Sequence, residues 1–321
     1  MQAKVLVIGE SVADAVISDD RSSGDKTVMT VIAGGGPANT AATLSSLGTP
    51  TRFGGRLGQG PLGALLYRRL QESNLDLSAS VQVQDPVSLA ISSLTPDGQP
   101  TYGFYTEGTA DWLWTQKELA AIPTNDVCCL HTGSLGLAMR PGGPLIEDLA
   151  ASLRPNVTIS IDPNVRPTLV PIDEYQHRID RWCQLADIIR LSDEDLAHIA
   201  PDTPEKTVFE RWHSLGVSLI VTTRGKNGAS ISLNGETATV PGVSVDVVDT
   251  VGAGDSFAAG LLHWLWRHDH LGGRLHKLTL DDALKAATLA THVGALACTT
   301  TGPSAAHPSD LPPEAHQLLS T

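Results

Sequence analysis

The sequence predicts an α/β protein built on a central, mostly parallel β-sheet with helices on both faces and a small inserted β-sheet. Two observations carry this. Short apolar, β-branched runs recur between longer stretches with helical spacing of apolar residues, the pattern of parallel strands covered on both sides. Two segments, residues 12–32 and 87–105, break the alternation and show no helix spacing. Size agrees: 321 residues, 41% apolar and 18% charged, can form one large domain or two small ones and do not describe a disordered chain. Residues 1–11, 33–86 and 106–321 are assigned to an α/β body, and 12–32 with 87–105 to the inserted sheet.

The first strand is read at Val5–Ile8, entered from Met1–Lys4 without a signal peptide's long apolar stretch. Helices over Ala38–Leu47 and Gly63–Gln71 follow the first irregular segment. In the second, Ser88–Ser92 alternates, Pro96-Asp97-Gly98 turns and Thr101–Tyr105 returns, so the insert reads as antiparallel. Strands at Val127–Leu130, Val157–Ile161, Asp187–Leu191 and Leu219–Thr222 then alternate with helices at Leu145–Leu153 and Glu205–Leu215. A hairpin of Ala229–Leu233 and Thr237–Val240 turns at Asn234-Gly235, a type I′ pair. Val243–Val248 reads as a strand feeding a glycine-rich turn and a helix over Ser256–Arg267. The Pro- and Ala-rich tail after Thr301 is expected to wrap the surface.

There are 22 Lys and Arg against 35 Asp and Glu, a net charge of −13. That field repels nucleic acid and anionic membranes, so neither is expected as a partner. An anionic ligand would need a local site built against it. The four cysteines form no C-x-x-C pair, which argues against a zinc site or disulfide framework and for a reducing cytoplasm. The long small-and-apolar stretch Val247–Trp266 is interrupted by Asp249 and Asp255 and cannot span a membrane.

The most informative stretch is Asp249-Thr250-Val251-Gly252-Ala253-Gly254-Asp255-Ser256-Phe257. Small residues opening a helix let free N–H groups converge at the positive end of the helix dipole, an anion hole suited to a transferring phosphoryl group. Asp255 stands beside it. A second stretch, Gly34-Gly35-Gly36-Pro37-Ala38-Asn39, permits close approach of a polyol, with Asn39 offering donor and acceptor. Asp14, just past the first strand, is placed to accept sugar hydroxyls. Gly58-Gln59-Gly60-Pro61-Leu62-Gly63 satisfies G-x-G-x-x-G, but Pro61 removes a donor, so it reads as a structural turn. Gly254-Asp255-Ser256 resembles a hydrolase motif, yet its candidate partners Asp310 and His316 lie in the tail. No G-x-x-x-x-G-K-[ST] loop occurs.

GGGPAN at 34–39 and DTVGAGD at 249–255 resemble the two signature regions of the ribokinase-like (PfkB) family of carbohydrate kinases. The resemblance spans nearly the whole chain. Gly9 to Asp14 resembles the family's first strand and sugar-binding Asp, residues 12–32 with 87–105 its β lid, Asp162-Pro163-Asn164-Val165-Arg166 its mid-chain strand end, and Thr223–Gly228 its nucleotide-side loop. It implies a ribokinase-like fold and γ-phosphoryl transfer from MgATP to a hydroxymethyl group of an unphosphorylated sugar. Asp255 falls on the catalytic base and Gly252, Ala253 and Gly254 on the anion hole. Asp14, Gly35, Asn39 and Arg166 fall on the sugar side, and Ser192, Thr223, Gly225 and Gly228 on the nucleotide side. Asp195 falls where a Glu holds a Mg²⁺-bound water, and Asp249 near a K⁺ site. A homodimer pairing its lids is also implied.

The chain departs from the family pattern in three places. Ser192-Asp193-Glu194-Asp195 replaces Asn-x-x-Glu, Gln59 stands where many members have Asp, and Thr291 or His292 replaces an adenine-side Asn. The lack of a basic residue at Gly36 argues against a phosphorylated sugar, and Pro37-Ala38-Asn39 together with Asp162-Pro163-Asn164-Val165-Arg166 resembles the fructokinase branch, so fructose is the expected sugar. A 2-keto-3-deoxygluconate kinase, with Arg166 pairing a carboxylate, and ribokinase are the alternatives. A non-catalytic sugar- or nucleotide-binding relative is the alternative of a different class, disfavoured by the intact Asp255.

Overall fold

The computed structural model describes residues 3–17, 25–94, 100–303 and 305–319. The turn expected at 96–98 lies outside them. From the N-terminus the strands are β1 (Lys4–Ile8), β2 (Val12–Ile17), β3 (Met29–Gly34), β4 (Thr51–Gly54), β5 (Arg56–Gly58), β6 (Val81–Val83), β7 (Leu89–Leu94) and β8 (Pro100–Tyr105). They continue as β9 (Val127–Gly133), β10 (Thr158–Asp162), β11 (Ile188–Ser192), β12 (Leu219–Thr223), β13 (Ala229–Leu233) and β14 (Glu236–Val240). The helices are α1 (Gly36–Ser46), α2 (Gly60–Glu72), α3 (Gln116–Ala120), α4 (Ser134–Ala138), α5 (Gly142–Leu153) and α6 (Ile172–Leu185). After them come α7 (Asp193–Ile199), α8 (Glu205–Leu215), α9 (Ala253–Arg267), α10 (Leu280–Ala297) and α11 (Pro313–Gln317).

The main sheet has eight strands in the order β14-β13-β12-β11-β10-β9-β1-β4. It is parallel from β12 to β4 and ends in the antiparallel hairpin β13–β14. Every residue of β9 and β10 is buried, because both faces are covered. Val5 and Val7 of β1 pack with α1, α9 and α10, while Leu6 and Ile8 pack with α5, α6 and α8. The chain leaves β1 toward β4 on one side and toward β9–β12 on the other. Such a reversal opens a crevice at the carboxyl ends of the strands, where ligands of α/β sheets bind.

The inserted sheet has the order β3-β2-β7-β8. It is mixed rather than wholly antiparallel, since β2 and β7 run parallel. The reason is a shared anchor: Ser11 N–H and Ser88 Oγ–H both donate to the buried Asp111 carboxylate, at 3.1 and 2.7 Å. Both strands therefore leave the body from one point in one direction. A two-stranded parallel pair of β5 and β6 was not expected from the sequence.

Two further expectations are corrected. Val243–Val248 is not a strand; β14 ends the sheet, and Val248 N–H instead donates to Cys298 O at the end of α10, at 2.8 Å. The tail does more than wrap the surface, because Ala306, Leu311 and Ala315 are buried in the core with α9 and α10. The type I′ turn is as read, with Asn234 and Gly235 at φ +50° and +95°. Among the described residues no helix is long and apolar enough to cross a membrane.

Candidate active site

At the carboxyl ends of β1, β9, β10 and β11 the N-termini of α1 and α9 converge on a narrow cleft. Its lining includes Gly36, Thr40, His131, Ser134, Asp162, Asn164 and Asp255. Asp255, in the first turn of α9, is held from α1: Asn39 Nδ2–H donates to its Oδ2 at 2.8 Å, and Thr40 Oγ1–H to its backbone carbonyl at 3.3 Å. Its Oδ1 looks past Gly36, where an added methyl would stand 3.1 Å from that oxygen and 3.1 Å from Asn164 Nδ2. Glycine at 36 thus leaves room between the carboxylate and the strand ends. Burial pushes the Asp255 carboxyl up, opposed by the Asn39 hydrogen bond and by the charges of Arg190, Arg166 and Arg69.

Ser134 and Asn164, at the ends of β9 and β10, adopt φ +50° and +42°, a costly conformation for residues with side chains. Asn164 Nδ2–H donates to Ser134 Oγ at 3.2 Å, and its backbone N–H to Asp162 Oδ1 at 3.1 Å. Below them, buried His131 has its Nδ1 3.0 Å from Ser160 Oγ, and burial pushes it down to about 4, so it is neutral at pH 7. None of Ser134, His131 or Arg190 was singled out from the sequence. Arg190 carried a usable signal, a charged side chain inside the apolar run Ile188-Ile189-Arg190-Leu191.

The glycine turn before α9 forms as expected, with Gly252 at φ +79°. Of the three amides assigned to the hole, that of Ala253 is spent: it donates to Thr250 O at 3.2 Å, closing the turn. Among the described residues the amides of Gly252, Gly254 and Asp255 find no acceptor. Gly35, at φ +104°, has its Cα so close to the first strand–loop junction that a Cβ would stand 2.6 Å from Glu10 O. Its side-chain position is therefore filled by the protein, and its service is to press α1 against that junction.

Asp14 lies on β2 of the inserted sheet, against Gly34 of β3. Burial pushes its carboxyl up to about 6, against the charges of Arg69 and Arg166. Arg166 is exposed, donates to its own chain at Val165 O, and lends charge to both Asp14 and Asp255. Asn39, read as a sugar ligand, is committed through Nδ2 to Asp255, while its buried Oδ1 has no donor among the described residues.

On the expected nucleotide side, Ser192 caps α7, and Asp195 accepts from Ser192 N–H and Oγ–H and from Val165 N–H. Thr223 Oγ1 accepts from Arg190 Nη2 at 2.8 Å. Gly225 and Gly228, at φ +52° and +86°, form the turn after β12 that packs on Pro241 and Gly242. Asp249 accepts from Gly302 and Val251 amides, which hold its carboxyl below the usual range. Among the described residues no group of three or more His, Cys, Asp or Glu gathers as a ready metal site.

Comparison with known proteins gives a concordant picture. The model of the pfkB family carbohydrate kinases matches residues 2–310. A fructokinase from Rhizobium leguminosarum bv. trifolii is 36% identical over 280 residues, 87% of this chain and 84% of that one. Among solved structures, a fructokinase double mutant from Vibrio cholerae O395 with fructose, ADP and potassium ion bound superposes with a TM-score of 0.82 at 25% identity, covering 99% and 98% of the two chains. A fructokinase from Xylella fastidiosa with bound ATP shares the fold, with a TM-score of 0.86 at 23% identity over 100% and 99%.

Proposed function

The chain belongs to the pfkB family of carbohydrate kinases, as an ATP-dependent phosphotransferase acting on a sugar hydroxyl, and we propose that its acceptor is the hydroxymethyl group of fructose. The observation that carries the reading is the pairing of Asp255 with free amides at the same helix N-terminus. Its Oδ2 is pinned by Asn39 and its Oδ1 faces the cleft. Oδ1 accepts the hydroxyl proton as the new O–P bond forms, and the bridging oxygen leaves with ADP. With a loose transition state the alcohol keeps its proton until late, so an ordinary carboxylate is basic enough. The Gly252, Gly254 and Asp255 amides meet charge developing on the transferring phosphoryl group.

Fructose is the preferred sugar because the cleft offers hydroxyl partners and its cations already face carboxylates: Arg190 pairs with Asp162, and Arg69 and Arg166 lend their charge to Asp14 and Asp255. Asp14 and the donor-less Oδ1 of Asn39 take hydroxyls, while Gly35 serves the sugar side only indirectly, by seating α1 against the first strand–loop junction. A sugar phosphate would have to compete for Arg69 and Arg166 with Asp14 and Asp255 and would bring its own charge up against both carboxylates. Arg166 lends its charge to both Asp14 and Asp255, and a substrate carboxylate would have to be met by it. Ser192, Thr223, Gly225 and Gly228 border the ATP side. Mg²⁺ arrives as MgATP; of the roughly four lone-pair sites of the Asp195 carboxylate three are taken, leaving one for a metal-bound water. K⁺ is assigned near the ionised Asp249. The four-stranded sheet serves as a lid, and its exposed apolar side chains, Val16 and Tyr102 on one face and Met29 and Tyr105 on the other, offer the surface through which two copies pair. The enzyme is assigned to the cytoplasm, where MgATP is abundant.

The test is kcat/KM for fructose, 2-keto-3-deoxygluconate, ribose and fructose 6-phosphate on one preparation. Fructose is expected to lead. If the acid sugar leads, and Arg166→Ala removes that preference while sparing fructose, the keto-acid reading replaces this one.

A further inference from the structure

Beneath the glycine turn lies a buried cation that the transfer chemistry described above does not use. Arg190 enters from β11, in the middle of an otherwise apolar run, with only 7% of its side chain exposed. Its Nη1–H donates to Asp162 Oδ2 at 2.8 Å and its Nη2–H to Thr223 Oγ1 at 2.8 Å. Its guanidinium carbon lies 5.5 Å from the centre of the Phe257 ring, one turn into α9. A Cβ on Gly254 would meet Nη1 at 2.8 Å and Nη2 at 3.0 Å. The glycine of the anion hole therefore rests directly on the guanidinium. A buried ion pair is weak evidence for stability, because desolvation offsets most of its attraction. Stability alone would be served as well by an apolar pair, so the charge asks for another reason.

We propose that Arg190 is a positioning residue of phosphoryl transfer. Its guanidinium, fixed in plane by Asp162 and Thr223, is the floor on which Gly254 sits, and its charge acts through that glycine on Asp255 and on the arriving phosphoryl group. The inference rests on the kinase reading above and deepens it. The groups facing Asp255 are Arg69 from α2, Arg166 and Asp162 from β10 and the loop after it, Arg190 from β11 and Asn39 from α1. Asp195 of α7 adds a further charge near the pair, and His131 of β9, neutral at pH 7, a titratable ring. Arg190 and Asp162 are opposite charges on one axis, so their removal predicts opposite effects.

The experiment measures kcat, the KM for fructose and the acid limb of the kcat–pH profile in Arg190→Gln, Arg190→Lys and Asp162→Asn. Arg190→Gln is expected to lower kcat by about tenfold or more, with the KM for fructose within about twofold, and to move the acid limb up by about one pH unit. Asp162→Asn is expected to move the limb down. Arg190→Lys, which keeps the charge but not the fork, is expected to return the limb to the wild-type position with only part of the rate. If Arg190→Gln fails to fold, the double variant with Asp162→Asn replaces it, and a reduced kcat is again expected. Wild-type rate and limb in Arg190→Gln or in the double variant, or limb shifts of the same sign in the two single variants, overturn the proposal. A wild-type enzyme inactive on fructose would instead overturn the kinase reading on which it rests.

Discussion

Asn39→Ala probes the reading of the transfer centre through one bond. Asn39 is 6% exposed, and its Nδ2–H donates to Asp255 Oδ2 at 2.8 Å. A hydrogen bond to a charged group contributes about 1.5–3 kcal/mol. Because the donor favours the ionised carboxylate, its loss raises the Asp255 pKa, by about 1–2 units at 1.36 kcal/mol per unit. The sign follows: the base must be ionised to work, so the acid limb of kcat moves to higher pH by that amount, while the alkaline side changes little. The KM for fructose should rise as well, since Ala also removes the Oδ1 that awaits a hydroxyl donor. Initial rates of ADP formation at saturating MgATP, from about pH 5 to 9, measure both. An unmoved acid limb would refute the claim that Asn39 holds Asp255 in its working state.

Two other substitutions separate neighbouring roles. Asp195→Ala removes the acceptor for Val165 and Ser192 amides, so it should lower the melting temperature and raise the Mg²⁺ concentration for half-maximal rate; Glu194→Ala should do neither. Equal effects from both changes would leave the metal-bound water without support. Glu10 is buried at the root of the inserted sheet, where burial pushes its carboxyl up to about 7 from 4.5. The unfolded chain ionises it first, so wild-type stability should fall between about pH 4.5 and 7 relative to Glu10→Gln, as the difference in melting temperature across that window will show.

What the sequence revealed followed burial. The five central strands were legible because parallel strands covered on both faces read as unbroken apolar runs, and α8 was read to its ends, Glu205 and Leu215. Val243–Val248 misled because Val-Ser-Val-Asp-Val alternates like a half-buried strand, and alternation says nothing about whether a partner is free; here the sheet had already ended at β14. The parallel pairing of β2 with β7 was hidden for a related reason, since it depends on Asp111, distant from both strands in sequence. Helix α10, the longest, was not delimited because its Ala-rich surface has no sharply apolar stripe.

At the site the local motifs were legible and the pairings across the chain were not. Asp255 and its glycine turn were marked by their own neighbours. That Asn39 turns to Asp255, 216 residues away, rather than only toward a ligand, could not be read from GGGPAN. Nor could the placing of Arg190 beneath Gly254, which joins β11 to α9 through contacts that no spacing rule encodes. The amide of Ala253 was counted as free because the motif gives composition, while its use by Thr250 is a matter of backbone geometry.

The most direct test of the account compares wild-type enzyme and Asp255→Asn for MgATP-dependent formation of fructose phosphate, with fructose and ATP binding measured in parallel by calorimetry. Asn keeps the shape of Asp255 and removes its capacity to accept a proton. The account predicts binding of both ligands near wild type and a rate lower by about 10²–10⁴-fold. A variant that keeps more than half of the wild-type kcat would contradict the assignment of Asp255 as the base on which the reading is built.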